Sequence, residues 1–129
     1  MRVTCDALDG LPGDDAAAIK SRLEEAIAAL DRATERLVTA KGSDAALAQA
    51  VAVPYLELAG LTAGGWMLAR AAGAALERLA QGGENPEFLE AKLMTARFFA
   101  EHYLTKASGL CMTIMTGGNV VLSFPEGRF

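Results

Sequence analysis

The sequence predicts an all-α fold, an antiparallel bundle of three long helices plus a short fourth element. Three observations carry that expectation. The stretch Tyr55 to Leu79 is nearly free of charge and rich in Ala and Gly, and it holds the single tryptophan, Trp66. Apolar residues recur at intervals of three and four on either side of it, the period of a helix with one buried face. The chain is 52% hydrophobic but only 6% aromatic, so its apolar mass is mostly small and aliphatic. That balance suits helices packed closely on helices.

The central helix is expected to be a packing surface rather than a source of bulk. Gly60 and Gly64 are four apart and share a face, and Ala63, Ala71 and Ala74 widen the low relief. Glycine inside a helix costs roughly 1 kcal/mol against alanine. The run of Gly64, Gly65 and Gly73 is therefore explained most simply by the close approach of a neighbouring helix. Leu58 to Leu76 is nearly long enough to span a bilayer. Arg70 lies inside it, however, and Glu57 and Glu77 close its ends, so a buried helix of a soluble protein is the expected reading.

In chain order, Met1 to Gly13 shows no helical period and ends in Gly10, Pro12 and Gly13, so it reads as a linker or docking arm. Residues 14–129 read as the bundle domain. Asp14 or Asp15 caps the first helix. Ile19, Leu23, Ala26 or Ile27, Leu30, Ala33 and Leu37 trace its inner stripe. Glu24, Glu25, Asp31, Arg32, Glu35 and Arg36 form a solvated face with weak ion pairs. The helix ends near Lys41-Gly42. Ser43 or Asp44 starts the second helix, and Pro54 predicts a kink or break near Ala50 to Val53. This helix ends at Gln81-Gly82-Gly83.

Asn85-Pro86 opens the third helix with a capping residue and a first-turn proline. Leu89, Leu93, Ala96, Phe99 or Ala100, Tyr103, Ala107, Leu110 and Ile114 trace its inner face. Phe88, Met94 and Phe98 broaden that face beyond the needs of one partner. Together with Trp66 they form the candidate interface; alternatively, Phe98 packs on the segment around Pro54. Beyond Thr116 the chain turns at Gly117-Gly118 and makes a short helical turn over Asn119 to Ser123.

The residues exclude most chemistry. The chain of 129 residues is large enough for one domain with a real core. Its net charge is −4, with 12 basic residues scattered among 16 acidic ones, so no basic stripe is available for nucleic acid. Cys5 and Cys111 do not make a disulfide framework, and no secretory start is apparent. Reduced thiols and a cytoplasmic location follow. His102 is the single histidine, which excludes the usual di-iron and His-rich zinc sets. There is no G-x-S-x-G, no phosphate-cradling loop and no Cys-x-x-Cys. No residue is assigned to catalysis, to a cofactor or to a metal.

Two blocks carry a family resemblance. Tyr55, Leu56, Gly60, Leu61, Gly65, Trp66 and Arg70 form the first, and Ala91, Lys92, Thr95, Ala96, Arg97 and Phe98 the second. In this order they resemble the C-terminal helical domain of bacterial acyl-CoA dehydrogenases, with a weaker likeness in the tail Gly117 to Phe129. The resemblance implies a structural and interaction domain of an FAD-dependent enzyme, packing on the N-terminal dehydrogenase domains or within a homo-oligomer. It also implies a part in shaping the acyl-CoA site. FAD and the catalytic carboxylate would belong to the parent enzyme's other domains. A stand-alone oligomerisation module, or a lipid- or acyl-binding bundle with its pocket between the second and third helices, are the alternatives.

Overall fold

In the computed structural model, residues 1–9, 13–43, 45–125 and 127 are described, and among them no strand forms. Helix α1 covers Arg2–Asp9, α2 Asp14–Ser43, α3 Ala45–Ala50 and α4 Ala52–Ala80. Helix α5 covers Pro86–His102, a 3-10 turn Leu104–Lys106, α6 Ala107–Thr116 and α7 Gly118–Leu122. Helices α2 and α4, with 30 and 29 residues, are the two long rods, and α5 with α6 makes the third. The rods run up, down and up, and each touches the other two. The all-helical bundle is the one expected from composition and period.

Local chemistry explains where the rods begin and stop. Pro54 sits in the first turn of α4, where its missing N–H is not needed. The break therefore falls at Val51, inside the expected window. At the other end of α4, Gly82 has a φ of 72° and lets the chain leave the helix left-handed. Gly83 N–H then donates to the Arg78 carbonyl at 2.8 Å and Gly82 N–H to that of Leu79 at 3.1 Å, closing a Schellman motif. Asn85 caps α5 by accepting from Phe88 N–H at 3.4 Å, with Pro86 at the first helical position.

Four expectations are corrected. Residues 2–9 form a helix, although the arm shows no clear period. Two residues, Cys5 and Leu8, carry its buried side, and one pair is too short a run to display a period. Asp14 and Asp15 lie within the first turn of α2, and Asp15 accepts from Arg97 of α5 at 2.6 Å. Helix α2 continues through Ser43, past Gly42; the expected start at Asp44 lies outside the described residues. The third rod is interrupted at Tyr103, and its inner face runs through Ala100, Leu104 and Cys111, with Tyr103 exposed and Leu110 only half-buried. Leu104 is the physical reason: it is drawn down onto Gly65 of α4, and the backbone tightens into the 3-10 turn to reach it.

The close approach is real and falls on Gly65, not on the face shared by Gly60 and Gly64. Leu58, Thr62, Gly65, Ala69, Ala72 and Ala75 form the buried face of α4. A Cβ on Gly65 would stand 2.7 Å from Leu104 Cδ2 and 2.8 Å from Cδ1. Gly64 faces Phe99 Cζ at an ordinary 3.4 Å, and Gly60 faces open space. Ala71 and Ala74 are exposed. Thr62, buried among these small residues, donates its hydroxyl to the Leu58 carbonyl at 2.8 Å and so leaves no orphan group.

A second glycine contact seats α7 on α3. Helix α7 packs on α3, and a Cβ on Gly118 would press into Leu47 Cδ1 and stand 3.2 Å from Val51 Cγ1. Overpacking of this kind costs about 1 to 3 kcal/mol. Gly118→Ala is expected to loosen α7 from α3 while the three rods persist. Hydrogen exchange checks this, with faster exchange confined to α7 and α3.

Candidate functional site

The outward side of α5 is the best candidate for a functional surface. Leu89, Leu93, Ala96 and Ala100 fill the inward side and are buried. Met94, Phe98 and His102 follow one another at four-residue steps and therefore form a stripe on the outward side. Phe88, Met94 and Phe98 are 54%, 72% and 53% exposed, so the core does not use them. Phe98 stacks on His102 with ring centroids 4.4 Å apart and meets Tyr103 edge-on at 6.0 Å. Tyr103 in turn stacks on Phe99 at 5.1 Å. Phe88 lies off the stripe beneath the Lys92 ammonium, 5.0 Å from its ring centre. Lys106 similarly stands 4.8 Å from the Tyr103 ring. The result is an exposed aromatic cluster bordered by cations.

Trp66, the fourth residue of the candidate interface, has different surroundings. It is half-buried, and its indole N–H donates to the Thr4 hydroxyl of α1 at 2.8 Å. The Arg70 guanidinium covers its ring at 5.4 Å, so Arg70 lies outward with its stem on the surface. The role of Trp66 in holding α1 is not legible in sequence, because Thr4 and Trp66 are 62 residues apart. The aromatic stack around Tyr103 leaves a weak signal, the four-residue spacing of Phe98 and His102.

Several charged residues form ion pairs on the surface. Arg97 donates to Asp15 at 2.6 Å and to Glu101 at 3.0 Å, tying α5 to the start of α2, and these bonds raise its already high pKa. Arg2 pairs with Asp31 at 2.6 Å and Arg22 with Glu25 at 2.8 Å. Lys20 pairs with Asp9, and this bond, with Glu24 adding attraction, raises the lysine's pKa. Among the described residues no group of three or more His, Cys, Asp or Glu is placed to hold a metal ion. Nor do they fit a flavin. Among the described residues the one buried polar side chain, Thr62, is already satisfied within its own helix, and no unpaired buried polar atom is aimed at a ligand.

Cys5 and Cys111 are both buried and unpaired with one another. Burial pushes the Cys5 thiol above its ordinary value of 9.0, and the charges of Glu24 and Asp6 add to the shift. The unfolded chain thus releases this proton first, so stability falls as pH rises above the ordinary thiol range. Cys5→Ala is expected to remove that part of the fall. Denaturation midpoints of both proteins at about pH 7 and about pH 10 measure the difference.

Among the described residues the chain is thus an all-helical domain with a satisfied interior and an exposed aromatic face. The profile of the family described as acetyl-CoA dehydrogenase C-terminal like matches residues 1–125, and the chain belongs to this family. It is also 40% identical, over 111 residues, to 3-methylmercaptopropionyl-CoA dehydrogenase of Ruegeria pomeroyi. That match covers 86% of this chain but 19% of the relative, so the chain spans about a fifth of the dehydrogenase's length. No solved structure matches. No helix among the described residues is long and apolar enough to cross a membrane.

Proposed function

We propose that the chain is the C-terminal structural and interaction domain of an FAD-dependent acyl-CoA dehydrogenase of the cytoplasm. It packs through the outward face of α5 on the N-terminal dehydrogenase domains or on a second subunit, and there helps to shape the acyl-CoA site. FAD and the catalytic carboxylate belong to the rest of the enzyme. The observation that carries this reading is the exposure of Phe88, Met94 and Phe98 on a helix whose inward side is already filled. Apolar patches of this kind mark interaction surfaces.

Sedimentation across a concentration series tests it. With its natural cover absent, the 129-residue chain is expected to self-associate, and Phe98→Ser to weaken association more than it weakens folding. Circular dichroism is the folding control, and the half-exposed position of Phe98 makes the variant tolerable. A wild type that remains monomeric at high concentration would count against the interface. The chain is also expected to purify colourless. A stoichiometric flavin absorbance after desalting would place a redox site within it.

A second reading, a lipid- or acyl-binding bundle, is favoured by one cavity, which lies between the first two rods rather than between the second and third as the sequence suggested. An apolar groove of about 410 Å³ lies between α2, α3 and α4, lined by Leu37, Val38, Ala48, Ala52, Tyr55 and Leu56. Its volume falls within the range of small-molecule sites. Mass spectrometry of organic extracts of the purified chain decides the point, since a bound acyl species would be retained at a fixed ratio.

A further inference from the structure

We infer that α1 is a strap that opens from the bundle as a unit while α2, α4, α5 and α6 remain packed. The helix has only eight residues and buries only Cys5 and Leu8. Neither of its flanks is filled. On one side a groove of about 420 Å³, open to solvent, runs between it and α2, lined by Arg2, Cys5, Asp6, Ile27 and Asp31. On the other a cleft of about 280 Å³ separates it from α4, lined by Val3, Ala7, Arg70 and Gly73. Both grooves are open to solvent, so α1 lies at the surface of the bundle with one buried edge.

The remaining ties of α1 are polar and accessible. Arg2 and Asp31 pair with side chains 80% and 52% exposed, and the Lys20–Asp9 pair is also open to solvent on the aspartate side. Exposed pairs contribute little and are screened by salt. The indole of Trp66 adds one hydrogen bond, to Thr4. The chain enters α2 through Gly13, whose φ of 110° is a conformation that side-chain-bearing residues rarely adopt.

The two thiols make the opening measurable. Cys5 is shielded by the seating of α1, which buries two residues, whereas Cys111 lies on α6, within the third rod of the bundle. Exposing Cys111 requires the rods to separate. Exposing Cys5 requires only that the strap lift. Closed, the Cys5 thiol is held protonated by burial and reacts poorly; open, it behaves as an ordinary solvent-exposed thiol. Local openings of this kind have smaller free energies than global unfolding.

The test is pulsed alkylation of the wild-type 129-residue chain with N-ethylmaleimide in low urea, followed by peptide mapping of both cysteines. Cys5 is expected to react at least tenfold faster than Cys111, with a rate nearly independent of urea below the unfolding transition. Asp31→Asn, which removes the Arg2 pair, should accelerate Cys5 severalfold and leave both the Cys111 rate and the circular dichroism midpoint unchanged. Added salt should act on wild type in the same direction. Equal rates with the same steep urea dependence, or faster labelling of Cys111, would show that α1 opens only with the whole bundle and would overturn the inference.

Discussion

Gly65→Leu is expected to destabilise the bundle by about 3 kcal/mol or more, at the upper end of overpacking costs. Even the first carbon of a side chain there would stand within 2.8 Å of both methyl carbons of Leu104, which is itself only 3% exposed. Relief would require Leu104 to leave its seat, and with it the 3-10 turn that joins α5 to α6. Gly60→Ala, earlier on the same helix, should have the opposite sign. Nothing lies within 4 Å of a Cβ at Gly60, so the gain in helix propensity, roughly 1 kcal/mol, is unopposed. Leu104→Ala combined with Gly65→Ala should cost less than the sum of the two single losses, because the two residues share one space. Urea midpoints of these variants check all three expectations. Equal midpoints for Gly65→Leu and wild type would disprove the close packing.

Leu23→Ala is expected to cost about 2 to 5 kcal/mol, the range for removing a large aliphatic side chain from a core. Leu23 is 0% exposed, with Ile19, Ala26 and Ile27 also buried on α2 beside it. Denaturant unfolding measures the cost, and a loss below about 1 kcal/mol would show that the helices collapse onto the space.

Much of this fold is legible in short stretches of sequence. The stripe of α2, the first-turn proline of α4, the Gly82-Gly83 exit and the Asn85-Pro86 entry are local signals, each set by a few neighbouring residues. The outward position of Phe88, Met94 and Phe98 is also legible, since helical spacing assigns side chains to faces. The break at Tyr103 is not. Ala100, Leu104, Ala107, Cys111 and Ile114 continue the three- and four-residue intervals through it, so spacing alone reads one uninterrupted helix. The seating of α1 is equally hidden, because two apolar residues do not establish a period.

The sequence by itself determined that the chain is helical, where most of its helices begin and end, and that α5 carries more apolar surface than one face requires. Only the tertiary structure decided which glycine admits a neighbour. Gly60, Gly64 and Gly65 are equivalent by propensity, yet one faces solvent, one meets Phe99 at contact distance and one lies beneath Leu104. Propensity and periodicity depend on residues a turn or two apart. The close approach of Gly65 to Leu104 and the bond from Trp66 to Thr4 depend on how whole rods are placed, and that placement exists only once all the faces have been buried together.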